Sequence, residues 1–209
     1  MKIKEIKPQE IEHKSFEILS SILEEQGKTV DERYAHIIKR CIHTSADFEY
    51  ADSMYFTEGV VEKIEDAIRN GACIVTDTNM AKAGINKRII EANGGEVHCF
   101  IGDEDVAAEA KERGVTRSFI SMEKASRLGK PVIFAIGNAP TALISICQLV
   151  EEGKLDPVAV IGVPVGFVNV VESKELLIDS GIPCIVARGR KGGSNVAAAI
   201  VNAIQYKLK

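Results

Sequence analysis

Five short apolar runs recur along the later two-thirds of the chain: ACIVT (72–76), VHCFI (97–101), PVIFAI (131–136), PVAVIG (157–162) and PCIVA (183–187). Each is bounded by turn residues and separated from the next by a stretch with helical spacing, so the runs are expected to be buried strands. A strand, helix, strand order implies parallel strands joined by right-handed crossovers, which lay helices on both faces of one sheet. The expected fold is therefore α/β, a doubly wound, mostly parallel sheet of about five strands. The stretch TEGVVEKIEDAIRN shows the helical part of the pattern, with Thr57 as candidate N-cap and Gly71 at the C′ position. Residues 1–71 read as a helical lead-in to the same unit. With 209 residues, no internal repeat and no low-complexity linker, the whole chain 1–209 is expected to form a single domain.

Charge and cysteine usage narrow the partners. A net charge of -4 supplies no basic field for a nucleic-acid backbone, so no nucleic-acid partner is expected. No run of about 18 apolar residues is present and the first residues lack an apolar leader core, so no membrane partner is expected and the location is read as cytoplasmic. Cys41, Cys73, Cys99, Cys147 and Cys184 are odd in number and contain no C-x-x-C pair, which argues against both a disulfide framework and a zinc site. They read as small core residues. His13, His36, His43 and His98 show no metal-ligand spacing, and no metal site is expected.

In an open doubly wound sheet, ligands bind beyond the carboxyl ends of the strands. The segments there are TDTNMAKAGINKR, GDEDV, GNAPTAL, GVPVGFVNVVESK and GRKGGSNVAAAIVNAI. Most are polar or glycine-rich loops leading into helices, whose unsatisfied N–H groups favour an anion. The GRKGGS loop adds Arg190 and Lys191, but its lysine precedes the paired glycines, so the phosphate-binding order G-x-x-x-x-G-K-[ST] is absent. The first strand is not followed by G-x-G-x-x-G either, and Asp103, after the second strand, is a candidate ribose contact, but one acid alone is weak evidence. A nucleotide- or S-adenosylmethionine-binding enzyme stays an alternative. Basic residues and helix N-termini spread over several loops suit one large ligand with many carboxylates, because arginine forks bind carboxylate in bidentate fashion.

The stretch IIKRCIHTSADFEY raises a separate question. Tyr34, Ile37, Ile38, Cys41 and Ile42 have helical spacing, which sets His43 near that helix's C-terminus, where the dipole favours an imidazolium. Asp47 and Glu49 are expected to reinforce it if they fold back. His43 is open to three readings from the residues alone: a capping or core residue, half of a metal site, or a proton donor. Arg40 lies three residues earlier on about the same face, placed to hold a carboxylate beside it.

Taken together, IIKRCIHTSADFEY, TDTNMAKAGINKR, GVTRS, IGNAPTAL, GVPVGFVNVVESK and GRKGGSNVAAAIVNAI resemble, in order and nearly end to end, the precorrin-8X methylmutase family, also called precorrin isomerase or cobalt-precorrin-8 methylmutase. The resemblance implies a cofactor-free isomerase of cobalamin biosynthesis. Its substrate would be the tetrapyrrole precorrin-8 or cobalt-precorrin-8, and it would move a methyl group from carbon 11 to carbon 12 to give hydrogenobyrinic or cobyrinic acid. It also implies a homodimer, and NVAAAIVNAI offers a small-residue face for close packing. His43 matches the catalytic position, and Ser15 and Arg40 match substrate-contacting positions of the helical lead-in. Asp77, Arg117, Ser118, Asn138, Thr141, Arg190, Lys191, Gly192, Gly193 and Ser194 fall in motifs placed around the macrocycle. Ala46 stands where the aerobic branch tends to have glycine, which resembles the anaerobic, cobalt-dependent branch. Phe119 and Ile120 depart from the usual small-residue run. A corrinoid carrier without catalysis is the remaining alternative.

Overall fold

One sheet is built from β1 (Met54–Phe56), β2 (Cys73–Thr76), β3 (Val97–His98), β4 (Val132–Ile136), β5 (Ala159–Gly162) and β6 (Cys184–Ala187). Its strand order is β1-β6-β5-β4-β2-β3. The structure, a computed structural model, describes residues 7–208, so the reading of residues 1–6 as part of a segment without a leader core lies outside the described residues. Five strands are the expected apolar runs, and they pair in parallel. The sixth, β1, is an addition: it pairs antiparallel with β6, Met54 opposite Ala187. Its three half-buried residues carry no alternation that sequence reasoning could have used. The run at 97–101 yields only two sheet residues at the opposite edge, where a single neighbour supports it.

The helices, in chain order, are α1 (Pro8–Glu25), α2 (Ala35–Ser45), α3 (Tyr50–Ser53), α4 (Val60–Arg69), α5 (Asn79–Gly84), α6 (Lys87–Ala92), α7 (Glu104–Arg113), α8 (Arg117–Ala125), α9 (Pro140–Glu151), α10 (Val170–Asp179) and α11 (Ser194–Gln205). Because side chains alternate along a strand, successive residues of β2, β4, β5 and β6 feed two separate cores. Ile74, Ile133, Ile161 and Ile185 pack with α1, α2, α4 and α11. Val75, Phe134, Val160 and Val186 pack with α8, α9 and α10. All residues of these four strands are buried, as expected of a parallel sheet covered on both faces.

Two local expectations change. Helix α4 starts after Gly59, with φ of +70°, and not at a Thr57 cap. Thr57 Oγ1 instead accepts from the Cys184 amide at 2.9 Å and fastens the turn after β1 to β6. The small face of α11 is used within the chain: Ala197 and Ala198 are buried in the first core, and a Cβ on Gly84 would meet the Ala198 Cβ at 2.9 Å. That face therefore gives no support to a dimer. Ile120 fills a small cluster with Val106 and Ala110, and the Arg113 guanidinium lies over the Phe119 ring.

Candidate active site

The loops at the carboxyl edge are held by ions that face inward. Asp77, one residue past β2, is 2 % exposed. Its Oδ1 accepts from the Gly137 amide at 2.9 Å, and its Oδ2 accepts from Asn138 at 2.8 Å and Ala139 at 2.6 Å. Burial pushes its pKa up from the ordinary carboxylate value, against the three amides, which pull it down. A carboxylate so occupied shapes the loop between β4 and α9. It presents Asn138 and Thr141 outward and keeps its own oxygens from a ligand.

The GRKGGS loop is fixed from several sides. A Cβ on Gly192 would lie 2.1 Å from the Val163 carbonyl oxygen, so only glycine fits there. The Gly193 amide donates to that same oxygen at 2.9 Å. Ser194 Oγ pairs with Thr78 Oγ1 at 2.7 Å, joining the starts of α11 and α5. Lys191 reaches across to Asp47 at 2.6 Å and Glu49 at 2.7 Å, in the turn after α2. Those two acids therefore serve Lys191 and not His43, which corrects the expectation that they fold back on the imidazole. Arg190 is exposed and has no carboxylate partner among the described residues.

Helix α2 has the expected inner face, with Ile37, Ile38, Cys41 and Ile42 buried. His43 lies in its last turn, on the outer side, and is exposed. Its ring stacks on Phe16 of α1, with centroids 5.1 Å apart and planes 14° from parallel. The Arg40 guanidinium lies over the same Phe16 ring at 4.8 Å and pairs with Glu12 at 2.5 Å. Ser15 Oγ donates to the Ile11 carbonyl of its own helix at 2.9 Å.

His43 borders two clefts. One, of about 320 Å³, is lined also by Arg40, Met80, Gly84, Asn195 and Asn202. The other, of about 270 Å³, is lined by Ser15, Ile18, Ile22, Ala46 and Phe48 among others. Thus His43, Arg40 and Ser15 come together around adjoining space, and Asn195 brings the end of the GRKGGS loop to it. Arg117, Ser118, Asn138 and Thr141 form a separate group that lines neither cleft. Thr116 caps α8 by accepting from the Phe119 amide and donates to Thr141 at 3.4 Å, which ties the starts of α8 and α9. Ser118 is buried, whereas Arg117 and Asn138 are exposed.

Sequence reasoning missed Phe16 and Met80. Phe16 falls on α1, where an aromatic residue reads as core, yet its face serves both His43 and Arg40. Met80 is 70 % exposed at the start of α5 and lends an apolar side chain to the His43 cleft. A hydrophobic residue among the polar positions of TDTNMAKAG was the available signal for Met80.

The remaining titratable groups lie elsewhere. Asp103 pairs with Lys124 at 2.8 Å. All five cysteines are free and buried. Cys73, Glu96 and His98 gather their ligand atoms within 4.8 Å of one another at the starts of β2 and β3, where Glu96 also pairs with Lys130 at 2.9 Å. None of these three residues lines either cleft beside His43.

The family model described as precorrin-8X methylmutase matches residues 10–207. A cobalt-precorrin-8 methylmutase of Priestia megaterium is 48 % identical over 95 % of this chain and 88 % of its own length. Another, of Salmonella typhimurium, is 46 % identical over 97 % of this chain and 96 % of its own. Among solved structures, a precorrin-8x methyl mutase from Thermus thermophilus superposes with a TM-score of 0.83 at 34 % identity, covering 94 % of this chain and 96 % of that one.

Proposed function

The chain belongs to the precorrin-8X methylmutase family and is an isomerase of cobalamin biosynthesis, and from that premise we propose that it moves a methyl group from carbon 11 to carbon 12 of precorrin-8 or cobalt-precorrin-8, with His43 as the acid. The observation that carries the assignment is the position of His43. Its imidazole is exposed at a helix C-terminus, borders two adjoining clefts and lies flat on Phe16. An aromatic face beneath the ring fixes its plane.

The chemistry needs one proton, lent and recovered. His43 donates it to the conjugated macrocycle, the polarised π system lets the methyl group leave carbon 11 and bond to carbon 12, and the neutral imidazole takes the proton back. Substrate and product are isomers, so atoms and charge balance without a further reactant. Arg40 holds a peripheral carboxylate beside His43, exchanging Glu12 for it. Met80 and Ile18 give the flat ring apolar contact, and Arg117, Asn138, Thr141 and the GRKGGS loop take carboxylates further out along the sheet edge. A macrocycle of this size exceeds either His43 cleft, which supports a homodimer in which a second copy closes the site. The proposal includes a cytoplasmic location, no nucleic-acid or membrane partner, and a single domain over 1–209.

The test is turnover of purified protein on metal-free and cobalt-loaded precorrin-8, followed by the visible spectrum, with no nucleotide or methyl donor added. Conversion under those conditions is expected. A requirement for either additive would return the chain to the nucleotide-binding or S-adenosylmethionine-binding class, and binding without conversion would make it a carrier.

A further inference from the structure

Lys174, in the VESK segment of α10, is buried at 0 % exposure and has no carboxylate partner among the described residues. Its Nζ donates to the carbonyl oxygens of Gly189 and Lys191, both at 2.8 Å. Burying a cation with only neutral acceptors is costly, and burial draws the Lys174 pKa down to about 8. Two carbonyls alone could be satisfied more cheaply by water or by a neutral side chain. The placement of a cation there calls for a reason in the loop above it.

The trans peptide unit supplies one. Its C=O and N–H point in opposite directions, so turning the carbonyls of Gly189 and Lys191 toward Lys174 directs the amides of Arg190 and Gly192 away from it. Neither amide has a hydrogen-bond partner among the described residues, whereas the adjoining Gly193 amide is used on Val163. The same loop then extends Lys191 to Asp47 and Glu49, at the end of the helix that carries His43.

We infer that Lys174 is a positioning residue: from beneath the GRKGGS loop it holds two carbonyls inward, so that the Arg190 and Gly192 amides face a carboxylate of the substrate. This rests on the reading of that loop as part of the substrate site. Lys174 touches no reacting atom, and its effect is on binding.

Three variants test it by steady-state kinetics on precorrin-8, with thermal melts to report folding. Lys174→Met, similar in length and without a donor, is expected to raise KM by about tenfold or more, the scale of a lost charged hydrogen bond, while kcat stays within about threefold. Lys174→Arg keeps the charge but displaces the donors, and is expected to raise KM by a smaller factor with kcat retained. This second variant decides the matter if the methionine variant does not fold. Arg190→Ala is expected to raise KM on its own, and combined with a Lys174 variant it should give less than the product of the separate effects. A raised KM for Arg190→Ala beside an unchanged KM in a folded Lys174 variant would overturn the role of Lys174 alone. An unchanged KM for Arg190→Ala would overturn the substrate-binding reading of the loop. A Lys174 variant that lost kcat at constant KM would place its effect in the chemical step and refute the inference.

Discussion

The carboxyl edge of the sheet and the paired helices α1 and α2 hold their functional groups by opposite means. At the edge, two ions of opposite sign are buried under loops and bind backbone: Asp77 gathers three amides and Lys174 gathers two carbonyls. On α1, α2 and the turn that follows, the charges are nearer the surface: Arg40 pairs with Glu12, and Asp47 and Glu49 meet Lys191, which reaches over from the edge. A buried ion cannot trade its partners for water, so removing it leaves groups unsatisfied and the loop loses its shape. An exposed pair is worth little to stability and can be exchanged for a ligand carboxylate. The edge is therefore built to keep a geometry, whereas the charges of the helical side are free to exchange partners, as the proposed substrate site requires.

The largest effect should come from the helical side, and in activity alone. His43→Ala removes an exposed ring, so the melting temperature should stay within a few degrees of the parent while turnover falls by ~10²–10⁴, the range for a lost general acid. Binding of the tetrapyrrole, read from its absorbance, should persist through Arg40 and the edge loops. Turnover near that of the parent in this variant would remove His43 from the chemistry and make it a capping residue.

Asp77→Asn should show the reverse. Asparagine retains one oxygen for three amides and turns an NH₂ group toward donors, so a loss of roughly 2–4 kcal/mol is expected, or about 4–16 °C in melting temperature for a chain of this size. Denaturant and thermal unfolding measure it. A variant as stable as the parent would show that the loop between β4 and α9 keeps its shape without the carboxylate, and the contrast between the two regions would fail.

An intermediate effect separates the regions by pH. His36, on α2, has a buried Nε2 with no partner among the described residues, and burial, aided by Lys207, lowers its pKa to about 4. The unfolded chain binds a proton near pH 6.5 that the folded chain refuses until about pH 4. Stability from this group is therefore present above pH 6.5 and is lost as pH falls toward 4. Allowing for a half-buried ring, the slope should amount to on the order of 1–2 kcal/mol across that window. His36→Phe should flatten it relative to the parent, in urea unfolding at pH 7 and pH 4.5. Equal slopes in the two proteins would place the acid sensitivity elsewhere.

How much of this was legible in sequence follows from the same contrast. The buried strands announced themselves because β-branched runs between turn residues have few other uses, and Ile37, Ile38, Cys41 and Ile42 marked the inner face of α2 as surely. Strand β1 was silent because three half-buried residues at an edge have no pattern. The motifs located Asp77 and Lys191 but could not say which way they face: a carboxylate turned onto three amides and one turned to solvent are the same letter in a sequence. Lys174 went unnoticed for a related reason, since a lysine on a helix reads as solvated unless its neighbours are known.

The smallest expected effect concerns the turn that joins the two regions. Ala46 ends α2 in the left-handed region, with φ of 56°, and its amide donates to Ile42 at 2.7 Å. A Cβ in that conformation is strained by roughly 1–2 kcal/mol, which glycine avoids. Glycine also leaves the unfolded chain more freedom, which offsets about 0.5–1 kcal/mol of the gain. Ala46→Gly should therefore stabilise the protein by about 0.5 kcal/mol, measurable as a small shift in the urea midpoint. Turnover should be unchanged within about twofold, because Phe16 stacking and the grip of Lys191 on Asp47 and Glu49 orient the turn independently of residue 46. A gain in stability accompanied by a large fall in turnover would mean that the strained alanine itself sets the direction of His43, and that the helical side keeps its geometry by backbone strain where the sheet edge uses buried ions.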